Sequence, residues 1–455
     1  MKAILPSSTM ARMEPWCPSA IERAMERPMP KPLPFLCASA LALSLTACAG
    51  TINNSTTDTA SNVTFTFTDS GVTAAGETDT GYEIDGTALT ITSSGTYTVS
   101  GSCADGSIKV KKSTTGVTLV LDGLTLTSEN TAVTCGKSSE VTILVSNGTE
   151  NSLSDTEQNN DDNYPENENA ENAVIKCKDG SLVTLCGDGE LTITANGKNG
   201  IKSGATTDED GEASLTIRDL TLNIDAPVND AINAEQLLNV ESGTLTIDAA
   251  DDAIHCDLVL NIGADGTDGP TIDITNCCEG LEGAELNVCS GDITINASDD
   301  CLNAANSDLT DYDFTMTISG GTIDACSSAG DGFDSNGDLT ITGDTVIVWT
   351  ANTADNEPLD ADGTITVSGG TVLAAGGGSG MGMGGGFPGG GQKPDGEPPE
   401  SFDGQMPNGE KSELPDGEVP EMPSGERPTP PSGQGSPADG NAPAGDSTSD
   451  TTPTA

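Results

Sequence analysis

The chain has 455 residues, with 71 Asp and Glu against 17 Lys and Arg and a formal net charge of −54. That surplus makes nucleic acid and anionic membrane poor partners and favours cations, or polymers held through cations. Aromatic residues make up only 3% of the chain, which argues against a sugar site built on stacked rings.

Residues 1–24 carry Arg12, Glu14, Glu22 and Arg23 and suggest no function, and Met25 or Met29 is an alternative initiator. From 25 to 50 the order is Arg27 and Lys31, an apolar run, then Leu45-Thr46-Ala47-Cys48. This is the layout of a secretory signal. Its end resembles the lipobox of bacterial lipoproteins, in which the cysteine thiol is acylated and becomes the first residue. The expectation is a leader over 1–48 with Cys48 lipidated, a polar tether over 49–62, and an extracellular, lipid-anchored protein. An ordinary cleaved signal peptide is the alternative. The apolar run is too short to remain as a membrane span.

An exported protein with 13 cysteines would usually hold disulfides. Cys17, Cys37 and Cys48 fall in the leader, and the other ten form no C-x-x-C pair. Many sit in strand-like segments, where Cys packs as a small hydrophobe. Stacked free thiols are the preferred reading, with one or two disulfides the competing one. One histidine and no finger spacing make zinc a poor fit.

From residue 172 one five-residue phrase recurs: NAVIK (172–176), NGIKS (199–203), DAINA (230–234), DAIHC (252–256), EGLEG (279–283), DCLNA (300–304), DGFDS (331–335) and EPLDA (357–361). A weaker copy, NTAVT, stands at 130–134. The steps are 27, 31, 22, 27, 21, 31 and 26 residues. Thr-rich alternating segments separate the phrases, with Gly-Gly, Asn-Gly or Asp-Gly turns, and predict short strands. A rung of this length cannot bury its inner face alone, so rungs must stack. A propeller blade would need about 40 residues. The expected fold is all-β: a right-handed, single-stranded parallel β-helix over 63–375.

The third phrase residue is always apolar (Val174, Ile201, Ile232, Ile254, Leu281, Leu302, Phe333, Leu359) and is expected in the core. The first and fourth are Asn172/Ile175, Asn199/Lys202, Asp230/Asn233, Asp252/His255, Glu279/Glu282, Asp300/Asn303, Asp331/Asp334 and Glu357/Asp360. Strands in register place these in columns about 4.8 Å apart. Like charges at that spacing repel by about 3 kcal/mol at an effective dielectric near 20. Raised pKa values, Lys or Arg counter-charges, or bound cations would relieve this. Between Asp219 and Gln392 there are 30 acids and no Lys or Arg, which excludes the second remedy there. Hard oxygen ligands suit Ca²⁺, so calcium between rungs is the expectation. Splaying of the side chains into solvent is the alternative. His255 fills a slot held elsewhere by Asn, Glu or Asp, and is expected to be a ligand or a solvent-facing substitute rather than a catalytic group.

Taken together, KNGIKS (198–203), LTIRDLTLNIDAPVNDAINA, TLTIDAADDAIHC, DGFDSNGDLTITG and NEPLDADGTITVSGGTVLAAGG resemble a family of bacterial carbohydrate-binding domain-containing surface proteins, over about 80–375. The resemblance implies a parallel β-helix, bound calcium, and affinity for cellulose-like glucans or polygalacturonate without catalysis. Position by position it implies metal ligands at Asp230, Asp252, Glu279, Asp300, Asp331, Asp334, Glu357 and Asp360. The chain departs from the family's usual Gly at the second phrase position with Ala231, Ala253 and Cys301. Cys277-Cys278-Glu279 replaces the usual acidic pair.

Binding of a polysaccharide, acidic and pectin-like or cellulose-like, is therefore the leading function, with no enzyme activity. A purely structural or adhesive surface protein is the first alternative. A calcium-dependent lyase is the second, with Lys198 and Lys202 as its candidate bases. Residues 376–455 begin GGGSGMGMGGGFPGGG and continue in Pro-Gly-acidic near-repeats, and are expected to be a disordered spacer.

Overall fold

The computed structural model describes residues 61–377 apart from 77–79, 207–211, 311, 344 and 352–355. The leader with Cys48, the tether up to residue 60 and the tail from 378 lie outside the described residues.

The described residues form 31 strands and no helix. Beyond the N-terminal segment, every pairing is parallel, and the chain visits three ladders in rotation. One ladder carries the phrases. It runs through Ser107–Val110, Val133–Cys135, Ala173–Cys177, Asn199–Ser203, Ile232–Ala234, the start of Ile254–Ile262 and of Leu281–Val288, Leu302–Ala304 and Phe333–Ser335. An isolated bridge carries it on to Leu359. A second ladder stacks the alternating segments, for example Thr221–Ala226 on Thr244–Ala249 and Asp292–Ala297 on Thr322–Ser327. The third contains Leu182–Gly187, Ser214–Arg218 and Leu237–Val240.

Register follows from the apolar positions, because a one-residue slip would turn every core side chain outward. Ile175, Ile201, Ile232, Ile254, Leu281, Leu302 and Phe333 lie directly over one another, all essentially inaccessible to water. Each such side chain contributes about 2 kcal/mol by leaving water. In the third ladder Asn287 donates to Asn261 Oδ1 (3.1 Å) and Asn261 donates to Asn239 Oδ1 (2.9 Å), an amide stack perpendicular to the strands.

Two expectations need correction. The first strong phrase begins one residue late: Ile175 pairs with Ile201, and Lys176 with Lys202. Val174 and Ile175 are thus not the third and fourth positions of that rung; Ile175 and Lys176 are. The cause is local. Asn172 has φ 62° and serves the preceding insertion, its Oδ1 accepting from Asp161 N (2.9 Å) and its Nδ2 donating to Asp161 Oδ1 (2.7 Å). Asn tolerates this left-handed conformation, so it can stand outside the strand. The weaker copy at 130–134 is displaced in the same way, with Val133 facing Ile175.

The fold also begins with antiparallel hairpins, Ser61–Thr68 on Gly71–Gly76 and Tyr82–Asp85 on Ala88–Ile91. Phe65 and Tyr82 meet edge to face at 4.9 Å. None of the ten cysteines of the described region forms a disulfide; seven are buried, Cys278 and Cys289 are part-covered and Cys326 is exposed, and Cys135 lies in register with Cys177.

Candidate metal and polysaccharide site

The phrase ladder turns sharply before each short strand, and the second phrase residue sits in the bend. A Cβ on Gly332 would lie 2.2 Å from Val348 Cγ2 and 2.4 Å from Pro358 O. Ala231, Ala253 and Cys301 fill the same slot, and all are buried. This bend brings the first and fourth phrase residues to the same edge of the ladder.

The first-position acids are tied into the backbone. Asp300 Oδ1 accepts from Asp331 N at 2.6 Å, Asp331 Oδ1 from Glu357 N at 2.5 Å, and Asp230 Oδ1 from Asp252 N at 3.3 Å. Each of these carboxylates therefore caps the amide that opens the next phrase. Fourth-position amides supply further donors: Asn233 Nδ2 to Asp230 Oδ2 (2.7 Å) and Asn303 Nδ2 to Glu279 Oε2 (2.8 Å).

These hydrogen bonds do not offset the burial of so much charge. Burial, reinforced by neighbouring carboxylates, pushes Asp230 and Asp334 up to about 6, Asp300 to about 7 and Glu279 to about 8. Asp331 is raised for the same reasons. The column accordingly favours protons or cations near neutrality.

His255 proves to be the counter-charge of the middle rungs. Its Nε2 lies 2.9 Å from Asp257 Oδ1, and its Nδ1 lies 3.2 Å from Asp252 Oδ2 and against Glu282. Desolvation opposes its charge, but hydrogen bonds to Asp252, Asp257 and Glu282 outweigh this and hold its pKa well above the ordinary value. An imidazolium so placed replaces the Lys or Arg that the stretch lacks. The signal was present in the sequence, since Asp252 and Asp257 flank His255. Glu282, however, reaches it only through the ladder.

Among the described residues, three sets of side chains bring ligand atoms within 4.8 Å of one another: Asp230–Asp251–Asp252, Asp252–His255–Glu282 and Asp331–Asp334–Asp360. Five of the eight expected ligands are thus brought together: Asp230, Asp252, Asp331, Asp334 and Asp360. Glu279, Asp300 and Glu357 join none of these sets. Asp251, which the phrase alignment left out, joins Asp230 and Asp252. The donor chemistry separates the sets. His255 gives its own set an internal cation, whereas Asp331–Asp334–Asp360 offers oxygen atoms only. One rung earlier, Asn303 Oδ1 is buried without a hydrogen-bond donor. An orphaned acceptor beside an all-carboxylate set fits a hard cation such as Ca²⁺ better than a transition metal.

Of the two candidate bases, Lys198 is paired with Asp162. Lys202 lies beside Lys176, whose amine is lowered from its ordinary value by burial first and then by Lys202.

A parallel ladder edged by carboxylates defines the class of molecule: a repetitive all-β protein with an acidic edge. The sequence profile of the carbohydrate-binding domain-containing protein family matches residues 85–263 and 267–380, and the chain belongs to that family. A protein of that description from Acetivibrio thermocellus is 40% identical over 118 residues, covering 24% of this chain and 38% of the relative. The match therefore spans well under half of the relative's length. Among solved structures, a polysaccharide lyase-like protein from C. thermocellum, determined as a gadolinium derivative, aligns with a TM-score of 0.38 and 23% identity, over 69% of this chain and 99% of that one.

Proposed function

We propose that this chain binds polysaccharide without cleaving it, through calcium held on the acidic edge of the phrase ladder. The observation that carries this reading is the Asp331–Asp334–Asp360 set, three carboxylates with ligand atoms within 4.8 Å and no lysine or arginine after Arg218 among the described residues. Family membership supports carbohydrate as the partner. Asp331, Asp334 and Asp360 would hold the ion, and Asp230, Asp251 and Asp252 form the next set able to do so. Bound calcium supplies positive charge that can engage both these carboxylates and the carboxylate or hydroxyl oxygens of a glycan. The right-handed β-helix expected from the sequence is the architecture we assign to the three-ladder pattern, and it gives a linear polymer a straight edge to follow. Acylation of Cys48 would hold the protein at the outer face of the membrane.

Retention on polygalacturonate and on cellulose, in calcium and in EDTA, tests the reading. Polygalacturonate retention should fall sharply in EDTA and in Asp334→Asn/Asp360→Asn. Equal retention by that variant in calcium rejects the site, and no retention on either glycan in either buffer favours a purely adhesive protein. Absorbance appearing near 235 nm during incubation with polygalacturonate would establish a lyase instead. Labelled fatty acid should enter the wild type and not Cys48→Ser.

A further inference from the structure

The nine lysine and arginine residues of the described region all precede Asp219. Five of them, Lys109, Lys111, Lys112, Lys137 and Lys178, line a single open cleft of about 490 Å³. Its one acidic lining residue is Glu83. In a chain with 71 acids, a cleft lined by five amines and one carboxylate is a marked segregation of charge.

The fold builds this cleft. Lys111 N donates to Ile91 O (2.8 Å), Gly136 N to Val110 O (3.0 Å) and Lys178 N to Cys135 O (2.9 Å), so these three residues follow one another on successive rungs. Gly136 lies between the two lysines and has no room for a side chain. A Cβ there would come within 2.5 Å of Val110 O and 2.6 Å of Lys112 N. The close backbone approach at Gly136 keeps the lysine-bearing rungs tightly stacked, and Gly136 lines the cleft among the amines. Lys137 is 3.5 Å from Asp179 and Lys178 is 2.7 Å from Glu171. Lys109, Lys111 and Lys112 form no ion pair among the described residues. Amines about one rung apart repel each other, and an anion between them removes that repulsion.

The ladder indicates which anion. Lys109 stands in the column that continues through Thr134, Lys176, Lys202, Asn233, His255, Glu282, Asn303 and Asp334. A linear polymer along this edge meets amines first and carboxylates afterwards. A nucleic acid, with one charge per about 1.7 Å of duplex, would be repelled by the acidic rungs that follow, and the cleft has no aromatic platform for bases. A polyuronate carries one carboxylate per sugar between uncharged hydroxyls and can satisfy both ends of the edge.

We infer that the lysine cleft is a metal-independent subsite for the carboxylates of an acidic polysaccharide. It rests on the polysaccharide-binding reading above, but it uses different residues and needs no ion. Calorimetric titration of the full chain with a galacturonic-acid oligomer in EDTA tests it, at low and at high ionic strength. The wild type should bind, more weakly as salt rises, and Lys111→Glu/Lys112→Glu should lose about tenfold or more in affinity. Lys111→Gln/Lys112→Gln, which removes charge without reversing it, should move in the same direction. Asp334→Asn/Asp360→Asn should keep this binding while losing calcium-dependent retention, so the two sites fail separately. Circular dichroism on each variant confirms folding. The inference is overturned if the wild type does not bind the oligomer in EDTA, or if both lysine variants bind as the wild type does. It is also overturned if a neutral cello-oligomer or an oligonucleotide binds the cleft as tightly.

Discussion

Asp300 Oδ1 accepts a hydrogen bond from the backbone amide of Asp331, 2.6 Å away and one rung further along the ladder. The carboxylate expected to be a metal ligand is thus first a cap for the next phrase. Asp300→Ala should lower stability by about 1–3 kcal/mol by leaving that amide unpaired. Asp300→Asn keeps an acceptor oxygen and removes a charge that burial disfavours, so at pH 8 it should be at least as stable as the wild type. Urea unfolding of the two variants separates the cap from the charge.

Stability without calcium should depend on pH in one direction. Asp230 and Asp334 (about 6), Asp300 (about 7) and Glu279 (about 8) all stand above their values in the unfolded chain. Between those unfolded values and the folded ones, the native state binds more protons than the unfolded state, so stability falls as pH rises. His255, also raised, adds in the same direction above its unfolded value of about 6.5. In EDTA the melting temperature should be higher at pH 5.5 than at pH 8. Calcium, competing with those protons, should narrow the difference, and a melting temperature that rises toward pH 8 in EDTA would contradict the assignment.

Removing His255 should do more harm than its place in the repeat suggests. His255→Ala leaves Asp252, Asp257 and Glu282 facing one another without a cation. The expected loss is about 3 kcal/mol at pH 7, where breaking a mostly buried charge set is costly. Urea unfolding at pH 7 measures this, and His255→Gln, which retains a donor, should fall between Ala and wild type.

Ile254 lies between Ile232 and Leu281 in the central stack of the phrase ladder. Ile254→Ala should cost about 2–5 kcal/mol, because neighbours fixed by ladder hydrogen bonds cannot close the cavity. Gly332→Ala should also destabilise, because its Cβ would meet Val348 and the backbone of Pro358. Denaturant midpoints of the two variants check both effects.

Much of this protein was legible in the sequence, because a stacked repeat writes its geometry into recurring positions. The third residue of each phrase from Ile201 to Phe333 entered the core as its alternation required. The acids of the first and fourth positions gathered along one edge. The repeat also hid what did not repeat: Asn172 left the strand to anchor the insertion, and no periodicity could show that.

The sequence alone determined that strands stack in register, which residues face inward, and that the later rungs lack lysine and arginine. These follow from local alternation and composition, which every rung satisfies in the same way. Only the tertiary structure decided how the charges are met. It joined Glu282 to His255 across rungs, separated the Asp331–Asp334–Asp360 set from Glu279 and Asp300, and collected five lysines around Gly136. Such contacts depend on which side chains become neighbours between rungs, and sequence distances of 20 to 40 residues do not record that.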